Sequence, residues 1–177
     1  MAGEAGKAGT RRALAAVARE KALLPFRGGE GGNIAPLVAP FPKWSVAEAD
    51  RLWCAAFVLH CCREAGFDIP CSPAECVTCS LAGCGGWEEY AMADPRIQYH
   101  RPEEDFTPAP GDIVLYDHVF CDREHDHIGV VVEVEADAIV AAEGNVDDTN
   151  RSALVRRPRD GHIRAYIRLP DGYHCLG

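Results

Sequence analysis

The stretch HIGVVVEVEADAIVAAEG, residues 127–144, decides the fold. Two runs rich in Ile, Val and Ala, residues 127–135 and 138–144, flank a short polar turn, and this pattern predicts two neighbouring β-strands. Three further segments are predicted as strands on the same grounds. They are residues 112–117, 152–158 and 162–170. The second half of the chain is therefore expected to form an antiparallel sheet.

Helical patterns precede the strands. Thr10 can cap a helix over residues 11–24 that Pro25 ends, and residues 52–65 carry an apolar stripe at helical spacing that Gly66 ends. The other predicted elements of this half are short helices at 73–82 and 87–94 and a glycine-rich loop at 26–36. Helices followed by a sheet indicate the α+β class.

Length and charge limit the range of functions. The chain has 177 residues and 47% hydrophobic residues, which suits one domain with a real core. We expect a flexible N-terminus at 1–10 and a single domain at 11–177. The net charge of −9 argues against a nucleic-acid partner, because binding to phosphates needs a basic surface.

No membrane span or standard signal is expected. No apolar run approaches the roughly 18 residues that cross a bilayer. Charged residues interrupt the N-terminal segment, so it lacks the apolar region of a secretory signal. They are Arg11, Arg12, Arg19, Glu20 and Lys21. We expect a cytoplasmic protein, or one exported by a non-standard phage-type or secretion-system route.

Cys54 is the candidate nucleophile. It lies near the start of the predicted helix 52–65, where the partial positive charge of the helix and its unpaired N–H groups favour a thiolate. The same groups can stabilise an oxyanion, and the Cys54 backbone N–H is the expected donor. A buried structural cysteine is the alternative interpretation.

The hairpin 127–144 offers partners for Cys54. His127 begins a strand and can act as the general base. Gly129 lies on the same face and is expected to let the helix approach closely. Glu143 and Asn145, at the end of the next strand, can fix the imidazole, for example by accepting its Nδ1–H.

These residues occur in motifs that resemble the CHAP family of papain-like cysteine, histidine-dependent amidohydrolases/peptidases. The motifs are WCAAFV (53–58), PGDIVLYD (110–117), DHIGVVVEV (126–134) and EGN (143–145), in that order. GGEGGN (28–33) and HIRAYIRLP (162–170) fit as well. The resemblance covers residues 12 to 170 and implies a papain-like catalytic domain, with N-terminal helices packed on a C-terminal antiparallel sheet.

The resemblance implies Cys54 as nucleophile, His127 as base, Glu143 as orienter and Asn145 as an auxiliary polar group. Trp53 and Asn33 are expected to bind substrate, although core packing is an equal alternative for Trp53. Family members mostly cleave peptidoglycan, as N-acetylmuramoyl-L-alanine amidases or as endopeptidases, through a thioester. We expect a peptidoglycan or peptide substrate and no cofactor, and the oligomeric state stays open.

A second group of cysteines leaves alternatives open. Cys71, Cys76, Cys79 and Cys84 could bind zinc, form disulfides or stay as free thiols. The pattern before the nucleophile, PKWSVAEAD (42–50), has too few acidic residues to predict a calcium site. The alternative functions are a cytoplasmic amidase on a small amide and a zinc-binding interaction module that uses this cluster.

Overall fold

An antiparallel sheet occupies the second half of the chain, as the sequence predicted, but it has six strands and not the expected five. The computed structural model describes residues 8–73, 80–119 and 121–175. The strands are β1 (Gln98–His100), β2 (Ile113–Tyr116), β3 (His127–Val134), β4 (Ala138–Glu143), β5 (Ala153–Pro158) and β6 (Ile163–Arg168). Their order in the sheet is β1-β6-β2-β3-β4-β5, and every neighbouring pair is antiparallel.

The helices lie in the first half and complete the predicted α+β fold, which is consistent with a papain-like architecture. They are α1 (Arg11–Leu23), α2 (Ala35–Val38), α3 (Val46–Ala49), α4 (Cys54–Glu64) and α5 (Cys84–Ala93). Thr10 caps α1 as predicted, since its side chain accepts a hydrogen bond from the Ala13 N–H. Among the described residues, no helix is both long enough and apolar enough to span a bilayer.

Several element boundaries differ from the predictions. The short helices α2 and α3 and the strand β1 were not predicted, and α2 begins within the predicted loop 26–36. Helix α5 begins three residues before the predicted position, because buried Trp87 holds its first turn against the core despite two weak helix formers, Gly85 and Gly86. Residues 74–79 of the predicted helix 73–82 lie outside the described residues.

The two faces of the sheet carry different layers. Helices α1 and α4 pack on the face that presents Ile128, Val130 and Val132 of β3. The opposite face carries a smaller apolar cluster that includes Val131. Because side chains alternate along a strand, His127 belongs to this second face, at the end of β3.

Helix α4 comes closest to the sheet just after β4. A Cβ atom added to Gly144 would lie 2.6 Å from the Cβ of Phe57 and 2.9 Å from the Trp53 ring. Both aromatic side chains are fully buried. The missing side chain at Gly144 therefore lets the first turn of α4 lie directly against the end of the strand that carries Glu143.

This contact predicts that Gly144→Ala lowers the free energy of unfolding by about 1–3 kcal/mol, because the new methyl group overpacks the core. Urea unfolding followed by circular dichroism measures the change. Gly161→Ala is the matched control, since a Cβ atom there meets nothing within 4 Å. Equal stability of the two variants would contradict the proposed contact.

Candidate active site

Cys54 is the first residue of α4 and keeps 9% of its surface exposed. The N–H groups of a first helical turn have no partner within the helix. The Ala55 N–H bonds the Cys54 sulfur. The structure therefore places the sulfur at the positive end of α4, where a thiolate and a developing oxyanion are both stabilised.

His127 is the first residue of β3 and is completely buried. Its Nε2 lies 2.9 Å from Glu143 Oε2, and its ring interacts electrostatically with the Cys54 sulfur. The predicted contact through Nδ1–H was wrong in its atom, because the carboxylate meets the far ring nitrogen. The other ring nitrogen, Nδ1, is buried.

Gly129 has a different role from the one predicted. It pairs with Glu143 across β3 and β4, on the sheet face that lies away from α4. A Cβ atom added there would lie 2.8 Å from Glu143 Cγ. The missing side chain makes room for the buried carboxylate, whereas Gly144 is the glycine that the helix approaches.

Arg157 holds Glu143 from the other side, and the sequence did not single it out. Its Nε lies 3.0 Å from Glu143 Oε1 and its Nη2 lies 2.6 Å from Oε2, while Nη2 also bonds Asp147 at 2.9 Å. The guanidinium lies over the ring of Tyr116, which stacks on His127 at 5.9 Å. Both carboxylate oxygens are thereby fixed.

The buried charges support one another. A hydrogen bond from Cys84, followed by the bond and charge of His127, lowers the pKa of Cys54 although burial opposes it. Burial lowers the pKa of His127, but the charge of Glu143 and bonds to Cys54 and Glu143 raise it overall. Burial raises the pKa of Glu143, but His127 and Arg157 outweigh it. These opposite shifts favour the thiolate form of Cys54 and the imidazolium form of His127.

Asn145 lies beside this group but does not orient the imidazole in the hydrogen bonds that the structure shows. Its Nδ2 donates to the Arg51 carbonyl at 2.7 Å, and its Oδ1 accepts from the Asn150 N–H at 2.9 Å. Arg51 and Asn150 both have positive φ. Asn145 therefore fixes the strained segment that leads into Cys54.

Neither of the two predicted substrate-binding residues lines the surface cleft that contains Cys54. Trp53 is fully buried, and its Nε1 donates to Asn150 Oδ1 at 2.9 Å. Asn33 closes the glycine-rich loop by accepting from the Arg27 N–H at 2.6 Å. Gly28 of that loop contacts Asn150 so closely that a Cβ atom would meet its side chain at 2.1 Å. Trp53 therefore holds Asn150, and Asn33 holds the glycine-rich loop that packs against Asn150.

A surface cleft of about 440 Å³ opens at Cys54. Apolar and charged side chains share its walls. The lining residues are Trp44, Arg51, Leu52, Cys54, Ala82, Gly83, Cys84, Cys121, Arg123, Glu124, His125, Asp126 and Asn145. His127 is completely buried and is not among these residues.

A buried polar network supports one wall of the cleft and was not predicted. Glu88 of α5 accepts hydrogen bonds from Tyr99 at 2.5 Å and from Arg164 at 2.8 Å, and it also bonds His125. These contacts connect α5 with β1, β6 and the loop before His127. No sequence motif marks them, because the partners come from distant segments.

The predicted cysteine cluster is only partly described. Cys76 and Cys79 lie outside the described residues, while Cys71 and Cys84 are free thiols. Cys84 contacts Cys54, with the two sulfurs 3.8 Å apart. In the ranges 8–73, 80–119 and 121–175, no three His, Cys, Asp or Glu side chains are grouped so that they could hold a metal ion.

Comparison with known proteins agrees with this geometry. The family model named CHAP domain matches residues 46–145, more than half of the chain. The chain therefore belongs to the CHAP family of papain-like cysteine/histidine amidohydrolases and peptidases, and the family prediction is confirmed. A search of curated proteins returned no significant match.

Glu143→Gln tests the carboxylate. Without its charge the pKa of His127 falls, so the imidazolium is lost at a lower pH and the alkaline limb of the activity profile moves down. We expect the rate of amide hydrolysis at neutral pH to fall roughly 10²- to 10⁴-fold. Glu133→Gln, an exposed change on the same hairpin, is the control. An unshifted alkaline limb would argue against the role of Glu143.

Arg157→Gln tests the clamp on Glu143. The change leaves a buried carboxylate short of a partner, so we expect a loss of about 3 kcal/mol in the free energy of unfolding. The half-exposed neighbour Arg156 pairs only with Glu135 and Asp137 in the contacts shown, and Arg156→Gln should cost less than about 1 kcal/mol. Urea unfolding compares the two, and similar losses would contradict the clamp.

Proposed function

We propose that this CHAP-family chain hydrolyses amide bonds in peptidoglycan, with Cys54 as nucleophile, His127 as acid and base, and Glu143 as the residue that positions His127. The observation that carries the proposal is the continuous contact from Cys54 through His127 to Glu143 at the floor of a surface cleft. The family accounts for cysteine-dependent amide hydrolysis, and the choice of peptidoglycan is our inference.

Acylation uses the charged pair that the site already stabilises. The Cys54 thiolate attacks the amide carbonyl, forming a carbon–sulfur bond and an oxyanion. The Cys54 N–H, at the open end of α4, donates to that oxyanion. The His127 imidazolium then gives its proton to the leaving nitrogen as the carbon–nitrogen bond breaks, which releases the amine and leaves a thioester.

Deacylation returns the enzyme to its starting state. Neutral His127 takes a proton from water as the water oxygen attacks the thioester carbonyl. The carbon–sulfur bond breaks, and the carboxylic product and the Cys54 thiolate separate. Glu143 keeps Nε2 bonded throughout, so the ring presents Nδ1 to both the thiolate and the reacting groups.

The cleft suits a branch of a polymer better than an enclosed small molecule. It lies at the surface, and Leu52 on its rim is 63% exposed. Arg123 and Glu124 bring opposite charges to the same wall, which fits a peptide that carries both carboxylates and amines. These features favour the short peptides of peptidoglycan over a buried small amide.

Mass spectrometry of fragments released from purified peptidoglycan tests the proposal. Wild type should release soluble fragments, and Cys54→Ala should reduce their rate of release at least about 10³-fold, because the acyl-enzyme cannot form. The new termini of the fragments identify the bond that is cut. Cys62→Ala, on the same helix but buried in the core, is the matched control.

Either failure has a clear meaning. Fragments released equally by wild type and Cys54→Ala would remove Cys54 as the nucleophile. No release by either protein, under reducing conditions and across pH 5 to 8, would remove peptidoglycan as the substrate. A small amide would then become the leading substrate class for the same three residues.

A further inference from the structure

A second thiol faces the candidate nucleophile. Cys84 Sγ lies 3.8 Å from Cys54 Sγ, within the distance of a sulfur hydrogen bond. Both side chains are buried, and both line the floor of the same cleft. Cys84 is the first residue of α5, as Cys54 is of α4, so two helix beginnings meet at the reactive sulfur.

Cys84 is held firmly in this position. Helix α5 is anchored by Glu88, which bonds Arg164, Tyr99 and His125, and by Trp87, whose Nε1 donates to the Leu81 carbonyl at 3.1 Å. By anchoring α5, the polar network around Glu88 keeps the Cys84 side chain against Cys54.

Of the two thiols, Cys84 is the one that keeps its proton. The hydrogen bond with Cys54 raises the pKa of Cys84 well above its ordinary value, and burial and the charges of Cys54 and Asp126 act in the same direction. A protonated thiol beside a thiolate can only donate to it. With Cys54 as the thiolate, Cys84 would be the donor in the contact between the two sulfurs.

We propose that Cys84 is a further catalytic residue, whose thiol donates a hydrogen bond to the Cys54 thiolate and so extends the reactive form of the nucleophile to lower pH. The inference rests on Cys54 as the nucleophile of the proposed function. Cys84 contacts the reacting atom itself, from the first residue of α5.

The other charged groups around the sulfur do not replace this donor. His127, backed by Glu143, supplies the imidazolium from β3, and Asp126 adds a negative charge beside Cys84. The remaining charged or titratable groups on the cleft walls are Arg51, Cys121, Arg123, Glu124 and His125. Their side chains form the walls of the cleft, whereas Cys84 contacts the sulfur directly.

Alkylation of Cys54 by iodoacetamide measures the thiolate without any substrate. The rate is followed from pH 4 to 10 by mass spectrometry of the peptide that contains Cys54, with the Cys84 peptide quantified separately. In Cys84→Ala we expect the acid limb to move up by about one pH unit, because one hydrogen bond to the charged form is lost. Cys84→Ser keeps a donor and should move it less than half as far.

Cys62→Ala is the control for losing a buried sulfur, and its curve should match wild type. Circular dichroism confirms that each variant is folded. A Cys84→Ala curve that overlays wild type, or a Cys84→Ser curve shifted as far as Cys84→Ala, would overturn the inference. If wild-type Cys54 titrates as an ordinary thiol, the nucleophile itself is overturned. The expected shift without peptidoglycan cleavage would support Cys84 and reject only the substrate.

Discussion

The site depends on a row of alternating charges buried at one end of the sheet. The pKa shifts favour a thiolate at Cys54 and an imidazolium at His127. His127 bonds the carboxylate of Glu143, which in turn bonds the guanidinium of Arg157. Burying a charge without a partner is costly, so each group in the row offsets the desolvation cost of its oppositely charged neighbour. Glu143 has no exposed surface at all, and it remains ionised because positive groups contact it from two sides.

The sheet explains how this row is assembled. His127, Glu143 and Tyr116 lie on the sheet face opposite the one that packs against α1 and α4. The first turn of α4 reaches the end of that face at Gly144. Gly144 permits the helix to come so close, while Gly129 provides the space that Glu143 fills. The two glycines make room for different groups, and both serve the contact of α4 with the ends of β3 and β4.

Much of this arrangement could be predicted from local patterns. The strand hairpin, the helix that begins at Cys54 and the fold class follow from the spacing of apolar residues and from caps and turns. The grouping of Cys54, His127 and Glu143 was also expected, from ordered motifs. The contact of Arg157 with Glu143 was not expected, because no local pattern separates Arg157 from Arg156. The sheet register and the direction of the Arg157 side chain show this contact. Asn145 and Trp53 lie close to Cys54, yet their bonds to Arg51 and Asn150 depend on loop conformations with positive φ that sequence spacing does not reveal.

Cys84 shows most clearly what sequence spacing leaves open. Along the chain it completes a compact group with Cys71, Cys76 and Cys79, and that pattern was compatible with zinc ligands, disulfides or free thiols. In space it lies against Cys54, thirty residues earlier, because α5 begins there and the bonds of Glu88 fix the helix to β1, β6 and the loop before His127. A thiol in that position already has a partner whose chemistry needs a proton donor. The same side chain that seemed to belong to a structural cluster therefore connects a distant polar network to the reactivity of the nucleophile.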